Sequence, residues 1–408
     1  MQGKLIINVY ADNVSQPVEN AYVTVSGENY HKEFTTDASG KVFIEDLPAP
    51  DKKYSMNYQE DVRPYSTYDV NVKKPGLKSI TISNVEIFAD EISIQNIYMS
   101  SSLQKMNYED VIILPQHGLW DKVSPKIPEE EIKLENNDLI RVLPNVFIPE
   151  YITVHDGVPT NTSSANYTVS FPDYIKNVAS GEIYSTWPKE TITANVYAII
   201  SFTLNRIFTE WYTSKGYNFT ITGSPQYDQT YTHNRTIFKS IADIVDEIFT
   251  DYIKLNGMTQ PFLAQYNDGI KTNNSGWLSQ WGSKDLGDKG YTALNILKHY
   301  YTNNLTIETA NEVKGLPFSF PGYNLKLGSC SEAVQKMQNE LNIINGNYPG
   351  IPKIVPSDGK FESNMETTVK TFQKVFDLSE TGIIDFTTWY KISYIFVAVS
   401  KMLQGITG

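Results

Sequence analysis

The sequence predicts a multidomain chain: an N-terminal antiparallel β-sandwich, a central α+β domain and a C-terminal three-helix bundle. Three observations predict it. Short β-branched runs between turn formers fill the first hundred residues, apolar spacing turns helical after residue 170, and three short amphipathic segments close the chain. A length of 408 residues is enough for two to four domains, each with its own core.

The strands come first. Leu5 to Tyr10, Ala21 to Val25, Tyr68 to Val72 and Ser79 to Ile82 alternate or run β-branched, and Asp37 to Gly40, Pro48 to Pro50 and Lys74 to Gly76 punctuate them. Strands at this spacing, with no helical period between them, predict a sandwich over residues 1–100. Residues 101–141 then read as a linker or prosegment. They hold Ser100-Ser101-Ser102, Pro125, Pro128, the acidic run Glu129 to Glu131, and Glu135 to Asp138.

Helical periodicity organises residues 142–320. Ile175, Val178 and Glu182 share one helix face. Pro188 opens a long helical stretch with Ile192, Val196, Ile199, Ile200 and Leu204, and Ile237 to Tyr252 predicts another. A Gly/Asn-rich loop from Asn267 to Gly276 leads to Trp277 to Gly282, and a further helix is expected between Gly290 and Tyr301. In residues 321–408, Val334, Met337 and Leu341, then Met365, Val369, Phe372 and Phe376, then Trp389, Ile392, Phe396 and Val399 mark three helices.

Composition narrows the function classes. A net charge of −12 and a pI near 5.0 argue against nucleic-acid binding, which needs a basic footprint. No uncharged apolar run reaches the length of a membrane span, and the start of the chain is too short for a secretory signal. One cysteine, Cys330, rules out an internal disulfide and a thiolate zinc cluster, and it reads as a small packing residue. The 27 tyrosines suit carbohydrate-binding surfaces and, equally, tyrosine-rich strands.

Glu182 is the most informative residue. It continues an apolar stripe, and Tyr184 and Trp187 follow it. A carboxyl held against apolar and aromatic groups loses solvation of its charged form, so a raised pKa is expected, as a general acid acting on a glycosidic oxygen requires. The alternative is that the helix ends there with Glu182 in water. A second carboxylate, as glycosidases use, would be Glu190 or Asp228. Glu190 sits where an acid offsets a helix dipole, a structural role. The five histidines are scattered, none forms His-Glu-x-x-His, and neither a Gly-x-Ser-x-Gly elbow nor a phosphate-binding glycine loop occurs. No cofactor and no metal is expected.

The run from Tyr174 to Pro188 (YIKNVASGEIYSTWP) resembles the signature of the stage II sporulation protein D domain, a lytic transglycosylase of peptidoglycan. The resemblance implies that Glu182 is the catalytic acid. It also implies that Tyr184, Trp187, Asp228, Gln229, Gln280 and Trp281 contact substrate. The helix after Glu190 resembles that family's helix, but Ile200-Ser201-Phe202 stands where Arg-Thr-Tyr is usual. Over nearly the whole chain, Pro64 to Val70, Leu204 to Tyr212 and Gly276 to Ser283 resemble the spore cortex-lytic enzymes. Their frequent cysteines near this last segment are replaced by Asn267 and Asn274. The first hundred residues resemble the transthyretin-like, carboxypeptidase-regulatory sandwich. Leu327-Gly328, Met337-Gln338, Asp358 to Phe361, Val369 to Gln373 and Gly382 to Trp389 resemble peptidoglycan-binding domain 1.

Together these resemblances imply a precursor of a peptidoglycan-lytic enzyme, deposited in the spore or otherwise released to the cell wall. Its partners would be glycan strands and an activating subtilisin-like protease that cuts near Arg141-Val142. Cleavage between N-acetylmuramic acid and N-acetylglucosamine would leave a 1,6-anhydro-muramic end, with Glu182 serving as acid and then base. Two alternatives stand beside it: a wall lysin of a phage tail or contractile particle, and a non-catalytic wall-binding protein that keeps the fold.

Overall fold

The computed structural model describes residues 1–58, 61–101, 109–121, 126–127 and 143–406, and the statements below concern these. The N-terminal unit is two packed sheets. Strands β1 (Gln2–Ala11), β4 (Lys41–Pro48) and β7 (Ile92–Met99) form one. The other runs β3 (Tyr30–Thr35), β2 (Tyr22–Gly27), β5 (Ser66–Lys73), β6 (Ile80–Ile87), β8 (Asp110–Ile113). Leu5, Ile7, Val9, Val23, Val25, Val70, Val72, Ile82 and Ile97 are fully buried between them. A one-turn helix, α1 (Lys53–Met56), follows β4.

The sandwich is not purely antiparallel, as the sequence predicted. β1 pairs parallel with β7, Ile6 opposite Ile94, and β6 pairs parallel with β8, Ile82 opposite Ile112. β1 is also buried on both faces, Ile6 and Asn8 included, and on its second face Asn8 Nδ2 donates to Asp377 of the C-terminal unit at 3.4 Å. A strand sandwiched this way reads as a continuous apolar run, and LIINVY is one. The N-terminal unit extends past the boundary expected at residue 100. The apolar run Val111 to Leu114 supplies β8, and Leu114 is buried in the sandwich core. The acidic run, with Arg141 and Val142, lies outside the described residues.

The central unit is built on two helices. Ser170 caps α2 (Phe171–Glu182), its hydroxyl accepting from the Asp173 amide, and Pro172 fits the first turn. α3 (Lys189–Phe208) is buried almost all round, from Thr191 to Phe208, and is the axle of the core. A small sheet of β9 (Tyr151–His155), β10 (Asn166–Ser170) and β11 (Ile221–Thr222) flanks it. The predicted helix over 237–252 divides into three. Ile237–Phe238 is β12, which adds to the edge of the N-terminal sheet against β7. Lys239–Ile248 is α4, and Asp251–Leu255 is β13. The β-branched and aromatic residues at both ends find strand partners, which overrides the helical period.

β14 (Tyr266–Asn267) and β15 (Leu278–Ser279) close the Gly/Asn-rich loop. Asn267 Nδ2 donates to Asn274 Oδ1 at 3.1 Å across its neck. α5 (Gln280–Asp288), α6 (Ala293–Tyr300) and β16 (Leu305–Thr309), paired with β13, complete the unit. The C-terminal unit holds the three expected helices, α7 (Glu332–Ile344), α8 (Ser363–Val375) and α9 (Phe386–Ile406), around Val334, Met337, Leu341, Met365, Val369, Phe372 and Trp389. Cys330 is exposed rather than packed. No helix among the described residues is long and apolar enough to cross a membrane.

Candidate functional site

Glu182 is the last residue of α2, where the chain leaves the helix through extended Ile183. Its carboxyl is half-buried and held from two sides. Oε1 accepts from the Thr230 amide at 3.0 Å, and Oε2 accepts from Gln280 Nε2 at 3.0 Å. Gln280 opens α5 and is buried, so its carboxamide is fixed as a positioning group for the acid. The preceding residue must be small. A Cβ on Gly181 would lie 2.9 Å from the Arg235 guanidinium carbon, which brings that buried cation beside the site.

Tyr184, Trp187 and Trp281 form one aromatic cluster next to Glu182, with Trp187 and Trp281 centroids 4.9 Å apart and Tyr184 at 5.7 and 6.0 Å from them. All three are buried, so the expected substrate contacts are not open to solvent. N-terminal residues occupy their faces. Trp187 Nε1 donates to the Ser55 carbonyl at 2.9 Å, Tyr58 packs edge-on to Trp281, and Tyr184 lies against Phe88 and His117.

Two sequence assignments are corrected. Asp228 is fully buried, and its Oδ1 accepts from Arg206 Nε at 2.8 Å. Its Oδ2 accepts from the Tyr212 hydroxyl at 2.6 Å and from the Thr222 amide and hydroxyl at 2.9 and 2.7 Å. Gln229, equally buried, accepts from the Tyr174 and Thr203 hydroxyls and donates to the Ile199 carbonyl. Both side chains spend their hydrogen-bonding capacity inside the protein, so they brace the loop that carries Thr230 rather than touch substrate. The buried cation of α3 is Arg206, one and two helical turns beyond Ile200-Ser201-Phe202, and it serves Asp228. Glu190 is committed as well: Oε2 accepts from the Ala293 amide at 2.7 Å and holds the start of α6. His155 bonds Asn166 and the Val158 carbonyl and stacks on Phe219, a structural role.

A segment of the expected linker crosses the site. His117 Nε2 donates to the Ile183 carbonyl at 3.3 Å while its Nδ1 accepts from the Leu119 amide, and Gly118 N donates to the Gly181 carbonyl at 3.1 Å. Those carbonyls belong to the two neighbours of Glu182. Burial pushes the His117 pKa down to about 3, so the ring is neutral and can play both roles. Farther along, the Lys126 ammonium lies 4.6 Å from both the Phe202 and Tyr266 rings, and Ile127 N donates to the Gln226 carbonyl.

Beneath this segment Glu86, from β6, is buried near Arg235, and burial pushes its pKa up to about 7 against the opposing pull of Arg235 and Arg63. Folding therefore favours the protonated carboxyl. The stability it contributes is complete below its unfolded value of 4.5 and is lost as pH rises through about 7, about 3 kcal/mol in all. Half-buried Glu91 and buried Glu340 shift the same way. Glu86→Gln is expected to flatten, not abolish, the fall in melting temperature between pH 5 and pH 8. Parallel melting profiles for the variant and wild type would refute this role.

Thr230, Arg235 and the covering residues were not visible in the sequence. Thr230 acts through its backbone amide, which any residue supplies, and Arg235 reaches Glu182 from 53 positions away, by fold alone.

With this geometry in view, the comparisons with known proteins assign one module. Residues 330–392 match the peptidoglycan binding domain family (PG_binding_1), which gives the C-terminal unit a peptidoglycan-binding role and points to association with the cell wall. No curated protein matches the chain. Among solved structures, two cohesin–X-dockerin complexes from Acetivibrio cellulolyticus are similar over 26% of this chain. The C-terminal interface mutant is 20% identical with a TM-score of 0.19, the N-terminal interface mutant 21% with 0.17. The chain spans 64% and 61% of their lengths, and likeness at these scores carries no argument.

Proposed function

We propose that this chain is a latent peptidoglycan lytic transglycosylase, anchored to the wall by its C-terminal module. One observation carries the reading. Glu182 is held by an amide and a carboxamide at the edge of an aromatic cluster, while the two candidates for a second carboxylate, Glu190 and Asp228, are committed elsewhere. One carboxyl suffices for transglycosylation. Glu182 protonates the oxygen between N-acetylmuramic acid and N-acetylglucosamine, breaking the bond. The carboxylate so formed then removes the proton of the muramic 6-hydroxyl, which closes on C1 to give the 1,6-anhydro ring. Water is not consumed, and Glu182 ends protonated as it began.

Latency follows from the cover. Ser55, Tyr58, Phe88, His117 and Gly118 occupy the aromatic faces and the backbone around Glu182. Release needs a cut that frees residues 1–127 from the central unit. The expected processing point at Arg141-Val142 would serve, as would the spore setting and the subtilisin-like protease of the resemblance. A specific protease site placed within residues 128–142 tests this. Cutting is expected to switch on loss of turbidity of a purified wall suspension, with the uncut chain inert. Equal activity before and after cutting would refute latency. The second reading is a binding-only wall protein, since the match at 330–392 alone accounts for attachment; a cut chain that binds walls without solubilising them would favour it.

A further inference from the structure

A cavity of about 750 Å³ lies where the three units meet. β1 and β7 contribute Tyr10 and Tyr98, α2 and α4 contribute Asp173, Lys176, Asp243 and Asp246, and one face of α9 contributes Tyr390, Lys391 and Tyr394. Glu182 is not part of its wall. The α9 face continues through Ala398 and Lys401, beyond the segment that matches the peptidoglycan-binding family.

The wall charges are nearly all spoken for. Asp246 pairs with Lys176 at 2.6 Å, Asp243 with Lys239 at 2.7 Å and Asp377 with Lys41, while Asp173 accepts from the Ser170 hydroxyl at 2.6 Å. Lys401 pairs with Glu150, Asp12 is exposed to solvent, and Arg235 donates to Thr232 while its Nε has no partner among the described residues. Lys391 has fewer partners still. It makes no hydrogen bond or ion pair among the described residues, and its ammonium has only the Phe376 ring at 5.9 Å. Burial and the neighbouring Lys176 lower its pKa, against the opposing pull of Asp246, Asp173 and Asp377. A partly buried ammonium with no hydrogen-bond or ion-pair partner in the cavity wall is a place for an incoming anion.

The rest of the wall specifies what carries that anion. Tyr98 keeps 39% of its surface accessible and stacks on Tyr10 with centroids 5.6 Å apart, giving a flat apolar face of the kind that takes the C–H face of a sugar ring. The side-chain N–H groups of Asn96 and Asn234 have no acceptor among the described residues and are available to hydroxyl or acetamido oxygens.

We propose that this cavity binds an acidic amino sugar of the muramic type, its carboxylate on Lys391 and its ring against Tyr98. The sugar class rests on the chain's association with peptidoglycan and not on catalysis by Glu182. Because all three units build the wall, an occupied cavity holds them together, and the bound sugar stabilises the uncut chain by mass action.

Calorimetric titration of the full uncut chain with N-acetylmuramic acid and with N-acetylglucosamine, which lacks the lactyl carboxylate, tests the site. N-acetylmuramic acid is expected to bind at least about tenfold more tightly, and Lys391→Met to erase that preference. Tyr98→Ala, at an accessible side chain, is expected to weaken both sugars about tenfold and carries the test if the lysine variant misfolds by circular dichroism. Glu182→Gln should leave both titrations unchanged. Equal affinity for the two sugars, absence of binding, or a Lys391→Met chain with the wild-type preference would overturn the proposal. Loss of binding in Glu182→Gln would also overturn it, by placing the sugar in the cleft. The preference holding in a chain that cuts no glycan would sustain the cavity and defeat the proposed activity.

Discussion

Glu182→Gln, in the cut chain, is expected to lose glycan cleavage by about 10²- to 10⁴-fold or more, the contribution of a positioned general acid and base. The substitution is nearly isosteric. A carboxamide at this position can still accept from the Thr230 amide, so the loop stays in place. What it cannot do is donate a proton to the bridging oxygen and take one back from the 6-hydroxyl. Wall binding should be unaffected, because residues 330–392, which match the peptidoglycan-binding family, do not include Glu182. Pelleting with purified walls reads binding, and release of soluble fragments reads cleavage. A variant that keeps most of its lytic activity removes Glu182 from the chemistry.

Asp228→Ala is expected to act on stability instead, and severely. The substitution removes a fully buried carboxylate from the Arg206 guanidinium, itself 1% exposed, and strips acceptors from Tyr212 and Thr222. Breaking one side of a buried ion pair costs about 3–5 kcal/mol. In a central unit of this size that corresponds to a fall of about 10 °C in melting temperature. Scanning calorimetry of the full chain checks it. If Asp228 were a substrate-binding residue, the variant would melt as wild type does and lose affinity for glycan. Asp228→Asn, which keeps an acceptor for Arg206 but not the charge, should fall between the two.

The two residues show what the sequence could and could not disclose. The placing of Glu182 at the end of a helix beside aromatic residues was legible because an apolar stripe at helical spacing ends on it and aromatic residues follow, a purely local pattern. The role of Asp228 was not. It depends on Arg206, 22 positions earlier on a different element, and on Thr222 across a two-residue strand. Local periodicity likewise exposed α2, α3 and the three helices of the C-terminal unit. It missed the parallel pairing of β1 with β7, since strand direction is set by connections and not by composition. Tyr184, Trp187 and Trp281 were recognisable as an aromatic group near the acid, but that the chain's own Ser55, Tyr58 and Phe88 would fill their faces is a property of docked units. No spacing within one segment encodes it. The same holds for Lys391, whose missing partner becomes visible only when the surrounding carboxylates are seen to be paired with other lysines.

The central claim is that a single carboxyl, Glu182, cuts glycan without water. Mass spectrometry of the fragments released from purified peptidoglycan by the cut chain tests it most directly. Fragments ending in 1,6-anhydro-muramic acid, each lighter by one water than its hydrolytic counterpart, are expected, and they should disappear with Glu182→Gln. Fragments with ordinary reducing ends, or the same anhydro products from the variant, would contradict it.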